Sequence, residues 1–177
     1  MALACLGMLE GWFFITAGLL VLSGGSKVRD PEPTRGALRA AGLPSSRGAV
    51  YALATSEIAV GALALALPHP VVAGAVAVTY LGFAGFVAYA LARHLPLQSC
   101  GCFGRSDTPP GTIHLALNLA TAAVAASVAM TGGADLLTVL SAQPAAGIPY
   151  LGFVAAGAFL TALVLSDLPA ILPGRRR

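Results

Sequence analysis

Charge is what this sequence has least of. Of its 177 residues only 10% are Asp, Glu, Lys or Arg, while 57% are hydrophobic, and the mean hydropathy is +0.83. Soluble globular chains carry about 25% charged residues, so the polar coat a water-facing surface needs is missing. That excludes a soluble enzyme. It also excludes disorder, because disordered chains are charge-rich and apolar-poor. The net charge of +3 does not point to nucleic acid, since the ten basic residues form no aromatic-interleaved patch. Aromatic residues are scarce, at 7%, cysteine occurs three times, and no internal repeat is visible. These absences leave a polytopic all-α membrane protein, with the lipid bilayer as its first partner.

A helix that crosses ~30 Å of hydrocarbon needs about 20 mostly apolar residues. Five stretches qualify: Cys5 to Ser23, Ala49 to Leu67, Val71 to Ala92, Ile113 to Met130 and Pro149 to Ser166. Ala, Leu, Val and Gly dominate them, and such small residues permit close helix approach. Pro68, Pro70, Pro109, Pro110 and Pro149 stand between segments, where a missing N–H costs least. Residues 1–131 thus form a four-helix membrane domain, 132–148 a loop, and 149–177 an additional C-terminal transmembrane helix with a basic tail. The first segment has no positive n-region, and Glu10 interrupts it, so it fails the signal-peptide pattern.

With five crossings, the first loop, the third loop and the C-terminus share one side. The first loop carries Lys27, Arg29, Arg35, Arg39 and Arg47, the third Arg93 and Arg105, and the tail Arg175, Arg176 and Arg177. All ten basic residues fall there. The positive-inside rule then predicts a cell-membrane protein with its N-terminus outside and its C-terminus cytoplasmic.

Three features stand out from the apolar background. The first is Ser99-Cys100-Gly101-Cys102-Phe103-Gly104 in the loop before the fourth helix. Bent around Gly101, the chain can bring both cysteines within disulfide distance. So small a ring is readily exchanged and gains little as a staple, which suits a redox pair. Two other readings stay open. One is a pair of inert thiols, the other a metal site completed by His94 and His114, although this spacing supplies only two of the four ligands structural zinc takes. Cys5, at the far end of the first helix, is about a bilayer thickness away and cannot pair with them.

The second feature is a pair of intramembrane carboxylates, Glu10 and Glu57. An acidic side chain at a helix centre costs ~2.5–3.5 kcal/mol on insertion scales, so each needs a reason. Glu57, near mid-depth, is read either as a proton-relay or quinone-binding group, or as an interhelical hydrogen bond, for example to Asn118. Glu10 is read first as structural. A quinone is the one cofactor these residues bring into view, and they point to no metal cofactor.

Third, His114 and Asn118 share a face at the start of the fourth helix. His114 is either interfacial or a proton carrier for thiol exchange. Arg105 serves either to depress a thiol pKa or to anchor topology. Tyr80, Phe83, Phe86 and Tyr89 recur every three residues, as packing, lipid-facing groups or one wall of a quinone pocket.

Read in order, the motifs resemble a family. Gly24-Gly25-Ser26-Lys27-Val28-Arg29-Asp30-Pro31 follows the first helix, then Ala37-Leu38, Gly42-Leu43-Pro44, the Glu57-x-x-x-Gly61 spacing and the Cys-Gly-Cys-Phe-Gly loop. This set resembles the methylamine utilisation protein MauE family, similar in architecture to DoxX-like membrane proteins, over roughly residues 5 to 131. The resemblance implies a four-helix integral membrane core that supports maturation of an exported, disulfide-rich protein beside a thioredoxin-like partner. In the family that exported protein is the β-subunit of methylamine dehydrogenase. The resemblance makes Cys100 and Cys102 the candidate redox pair of a thiol–disulfide oxidoreductase, with Glu57 and Lys27-Val28-Arg29-Asp30 as signature positions. The competing class is a non-enzymatic membrane scaffold, or a metal or small-molecule carrier using the same loop. Val28 stands where the family usually has Leu, and the fifth helix lies outside the family core.

Overall fold

The computed structural model describes residues 2–67, 69–97, 110–133, 136–142 and 144–171, with no strand among them. Their helices are α1 (Ala2–Arg29), α2 (Glu32–Ala40), α3 (Arg47–Ala66), α4 (Pro70–Ala92), α5 (Thr112–Thr131), α6 (Leu136–Ser141) and α7 (Ile148–Ile171), with a 3₁₀ turn at Pro144–Gly147 before α7. Among the described residues, four helices are long and apolar enough to cross a membrane: α1 from Leu9, α3, α4 and α5. The fifth predicted segment is also helical, as the 24-residue α7. Val71, Val78, Leu81, Met130, Phe153 and Phe159 are all exposed. Large apolar groups outside as well as inside mark a bundle whose outer face meets lipid.

Helix ends follow local chemistry. Ser46 caps α3 by accepting from the Ala49 N–H at 3.1 Å, the usual role of a serine at that position. Pro70 opens α4, where its missing N–H removes no helical bond. Gly42, at φ +73°, stops α2, and the Leu43 and Gly42 N–H groups return to the carbonyls of Leu38 and Arg39.

α1 is the central helix. Of its best apolar window 56% is buried, against 28–33% for the other three spans. α3 packs along it, and α4 packs along α5, whereas α3 and α4 touch over a much shorter stretch. The α1–α3 seam is antiparallel and very close. A Cβ added at Gly24 would lie 2.5 Å from the Ala54 carbonyl oxygen, and one at Gly61 2.6 Å from that of Ala17. Only glycine fits at either point. α7 runs parallel to α1, since Gly11 meets Tyr150 and Ile15 meets Gly157. The core gathers Phe13, Phe14, Leu20, Val76, Tyr80 and Val128, and the Tyr80 hydroxyl donates to the Thr16 carbonyl at 2.8 Å.

Two expectations need correction. The first helix does not stop at Ser23 but continues through Arg29, so Lys27 belongs to a span and not to the first loop. It is 2% exposed, because a buried anion, described below, holds its charge. The stretch after it also contains α2, an amphipathic helix that buries Thr34 and Ala37 and keeps Glu32 and Arg39 exposed. At nine residues it is too short to span, and it lies where an interfacial helix would. Arg29, Arg35, Arg39, Arg47 and Arg93 all sit at this end of the bundle.

Candidate functional site

The bundle contains one internal ion pair among its described residues, and it joins α1 to α3. Glu57 stands four residues before Gly61, so both face α1, and the glycine contact draws the helices together there. Lys27 reaches across and donates to Glu57 Oε2 at 2.8 Å and to Ser23 Oγ, one turn earlier on its own helix, at 2.6 Å. The side chains are 3% and 0% exposed. Phe83 of α4 lies beside the ammonium, its ring centre 5.7 Å from Nζ, within range of a cation–π attraction. Glu57 Oε1 is buried with no hydrogen-bond partner, so the carboxylate keeps one open acceptor. That answers what holds Glu57 in the membrane. Its partner is Lys27, not Asn118.

His114 is brought to the same end from α5. It is 2% exposed, and its Nδ1 accepts the Gly111 N–H at 3.1 Å while its own N–H returns to the Gly111 carbonyl. The reciprocal bonds close the first turn of α5. With Nδ1 accepting, a neutral ring carries its proton on Nε2. His114 and Asn118 do share a face, as their spacing predicts. Together with Ser23, Tyr80, Phe83 and Thr121 they line a cavity of about 30 Å³, room for about one water molecule. Ser23 therefore faces the Lys27–Glu57 pair on one side and this cavity on the other.

The remaining candidates are scattered or outside the described residues. Cys100, Cys102 and Arg105 lie outside them, as does everything between Gln98 and Pro109. Cys5 falls in the first turns of α1, the end opposite α2. Glu10 is half-buried on α1, beside the contact of Gly11 with Tyr150. No group of three or more His, Cys, Asp or Glu suited to a metal occurs among the described residues. At the bundle end, Arg35 donates to Glu32 at 2.6 Å. That hydrogen bond, helped by the charges of Arg35, Arg47 and Arg39, holds the exposed Glu32 carboxyl below its usual range.

The family model for methylamine utilisation protein MauE matches residues 8–132. The chain belongs to the MauE family. The match begins just before the central part of α1 and ends one residue past α5, so the Lys27–Glu57 pair, α2 and His114 all lie within it. α6 and α7 lie beyond it. Membership makes the chain a multi-pass membrane protein of a methylamine-utilisation family. No curated protein and no solved structure matches the chain.

What sequence reasoning missed is Lys27 as a buried group. Its signal was present: a lysine 30 positions before an unexplained membrane glutamate. Counting it among loop charges hid it.

Proposed function

We propose that this protein is a membrane thiol–disulfide exchange protein, in which Cys100 and Cys102 cycle between dithiol and disulfide. Its partners are a thioredoxin-like protein and an exported disulfide-containing protein, which in the family is the β-subunit of methylamine dehydrogenase. The observation that carries the reading is the buried Lys27–Glu57 pair, set with His114 around Ser23 at the bundle end that bears Leu97 and Pro110. Scaffolding alone would not require an ion pair in an apolar bundle, since well-packed apolar residues hold helices at no desolvation cost.

Exchange proceeds by attack of a partner thiolate on one sulfur of the Cys100–Cys102 disulfide. The other sulfur leaves as a thiolate and takes a proton, giving a mixed disulfide. The partner's second thiol then attacks the mixed disulfide, releasing the partner oxidised and this chain as a dithiol. Two electrons and two protons are transferred. His114 carries protons to and from the thiols, and the Glu57 carboxylate, held by Lys27, is the acceptor beyond it. By the charge rule this end faces the cytoplasm, where lasting disulfides are rare, so the couple there is transient and exchanges directly with the thioredoxin-like protein; direct exchange with the exported protein requires the opposite orientation.

The test is labelling with a membrane-impermeant maleimide in a Cys5→Ala background, with and without prior reduction, in vesicles of both orientations. Reduction-dependent labelling in inverted vesicles supports both the redox couple and the orientation. Reduction-dependent labelling in right-side-out vesicles keeps the couple and reverses the orientation. Labelling that never depends on reduction overturns the couple and favours the carrier or scaffold. Replacing Cys100 or Cys102 singly with Ser then traps the partner as a mixed disulfide.

A further inference from the structure

The gap left where α3 and α4 touch only over a short stretch is not solid. Beneath α2 it encloses a cavity of about 360 Å³, within the size range of small-ligand sites. Its walls are largely apolar, with Leu38 from α2, Leu53 from α3 and the rings of Phe83 and Phe86 from α4. Ser56, Val78 and Gly82 line it and are exposed on the outer face of the bundle, so it opens sideways between α3 and α4, at the level of the spans. A ligand would enter from the bilayer. At the inner end stands Lys27, the single charged residue of the wall.

The charge balance narrows the ligand class. Glu57 already neutralises Lys27 at 2.8 Å, so the wall has no surplus positive charge to hold a fatty acid or a phosphate. It offers instead a neutralised ion pair at its inner end and two hydroxyl acceptors. Ser56 and Thr79 donate their own protons to the carbonyls of Leu53 and Ala75, at 2.7 and 2.8 Å, which leaves their oxygens as acceptors. Two aromatic rings on one wall, Phe83 and Phe86, suit a flat conjugated ligand. We infer that this cavity binds a neutral lipid-soluble quinone, whose carbonyls accept when oxidised and whose hydroxyls donate when reduced.

The inference deepens the thiol–disulfide reading and rests on it for its redox consequence. When the Cys100 and Cys102 thiols form their S–S bond, two electrons and two protons leave, and the quinone takes both to become the quinol. The balance closes without a further reagent. The cavity is also continuous with that end of the molecule: Ala37 and Phe86, both on its wall, pack against the buried Leu97.

The test is equilibrium binding of decylubiquinone to the purified full-length chain in nanodiscs, in unaltered protein and in a Cys100→Ser/Cys102→Ser background. A Cβ at Gly82 meets nothing within 4 Å, and the same holds for Gly74, on the same helix but away from the cavity. Gly82→Phe fills the cavity and is expected to weaken binding by about tenfold or more, while Gly74→Phe leaves it unchanged. A photoreactive azidoquinone should label the unaltered chain within residues 53–56 and 78–86, which reads the site without any variant. Absence of saturable binding, labelling elsewhere, indifference to Gly82→Phe, or displacement by oleate as readily as by quinone overturns the inference. Because binding is also read without the cysteines, its failure leaves thiol exchange standing. Conversely, failure to trap mixed disulfides overturns exchange and leaves the cavity as a quinone site.

Discussion

Lys27→Met isolates the ion pair most sharply, because methionine matches the length of the lysine stem and removes only the ammonium, with its bonds to Glu57 and Ser23. At 2.8 Å, an effective dielectric of about 20 gives about 6 kcal/mol of attraction between the two groups. Breaking buried pairs of this kind typically costs about 3–5 kcal/mol, less than the bare attraction because the site relaxes around the surviving charge. Here the survivor is poorly placed to relax. Glu57 is fully buried and one of its oxygens already lacks a partner, so Lys27→Met should fall within that range. The double variant Lys27→Met/Glu57→Leu removes the stranded charge along with its partner, and its stability should return close to that of the unaltered protein. Unfolding by detergent titration, followed by circular dichroism, measures both. If the double variant is destabilised by the sum of the single changes, the two groups are not coupled and the reasoning fails. The restored double variant then separates stability from chemistry: folded protein without thiol exchange marks the pair as functional, and full exchange marks it as structural.

Gly61→Ala should destabilise by about 1–3 kcal/mol, since its Cβ would press on the Ala17 carbonyl at 2.6 Å. Gly74→Ala, which meets nothing, should be neutral or stabilising through helix propensity; melting curves of the two compare them directly. His114→Ala removes the acceptor for the Gly111 N–H and should cost about 0.5–2 kcal/mol, as loss of a cap does. Should His114 carry protons, the same variant also flattens the pH profile of thiol exchange, which a purely capping role would leave unmoved. In a carbon-detected NMR titration, Glu32 should titrate below the ordinary glutamate range, and Arg35→Gln should move it back up, because the Arg35 hydrogen bond is the largest cause of the shift. The sign follows from linkage: a carboxyl depressed in the folded state adds stability above its unfolded pKa and loses it as pH falls through the folded value.

How far the sequence reached depends on whether a feature is local or relational. The spans were legible because twenty apolar residues in a row can do little else near a bilayer, and their limits in α3, α4 and α5 lie within a residue or two of those expected. The end of α1 was not legible. Gly24, Gly25 and Ser26 followed by Lys27 read as a loop, since glycine and a charge both usually end a membrane helix. Only the approach of α3 reverses that: it makes the glycine at 24 a packing surface and gives the lysine an anion. The cavity under α2 was equally hidden, because it depends on α3 and α4 each choosing another partner.

By itself, then, the sequence determined an all-helical membrane chain, the family, the clustering of arginine between and after the apolar stretches, and the residues with chemistry to offer: Glu57, His114 and the two neighbouring cysteines. Each of these follows from composition, length or order along the chain. Tertiary structure alone decided that Lys27 is the partner of Glu57, that Ser23 links the pair to the His114 cavity, and that a lipid-facing gap remains beside it. Those facts are distances between residues tens of positions apart, and helix packing sets them through close glycine contacts that no single segment records.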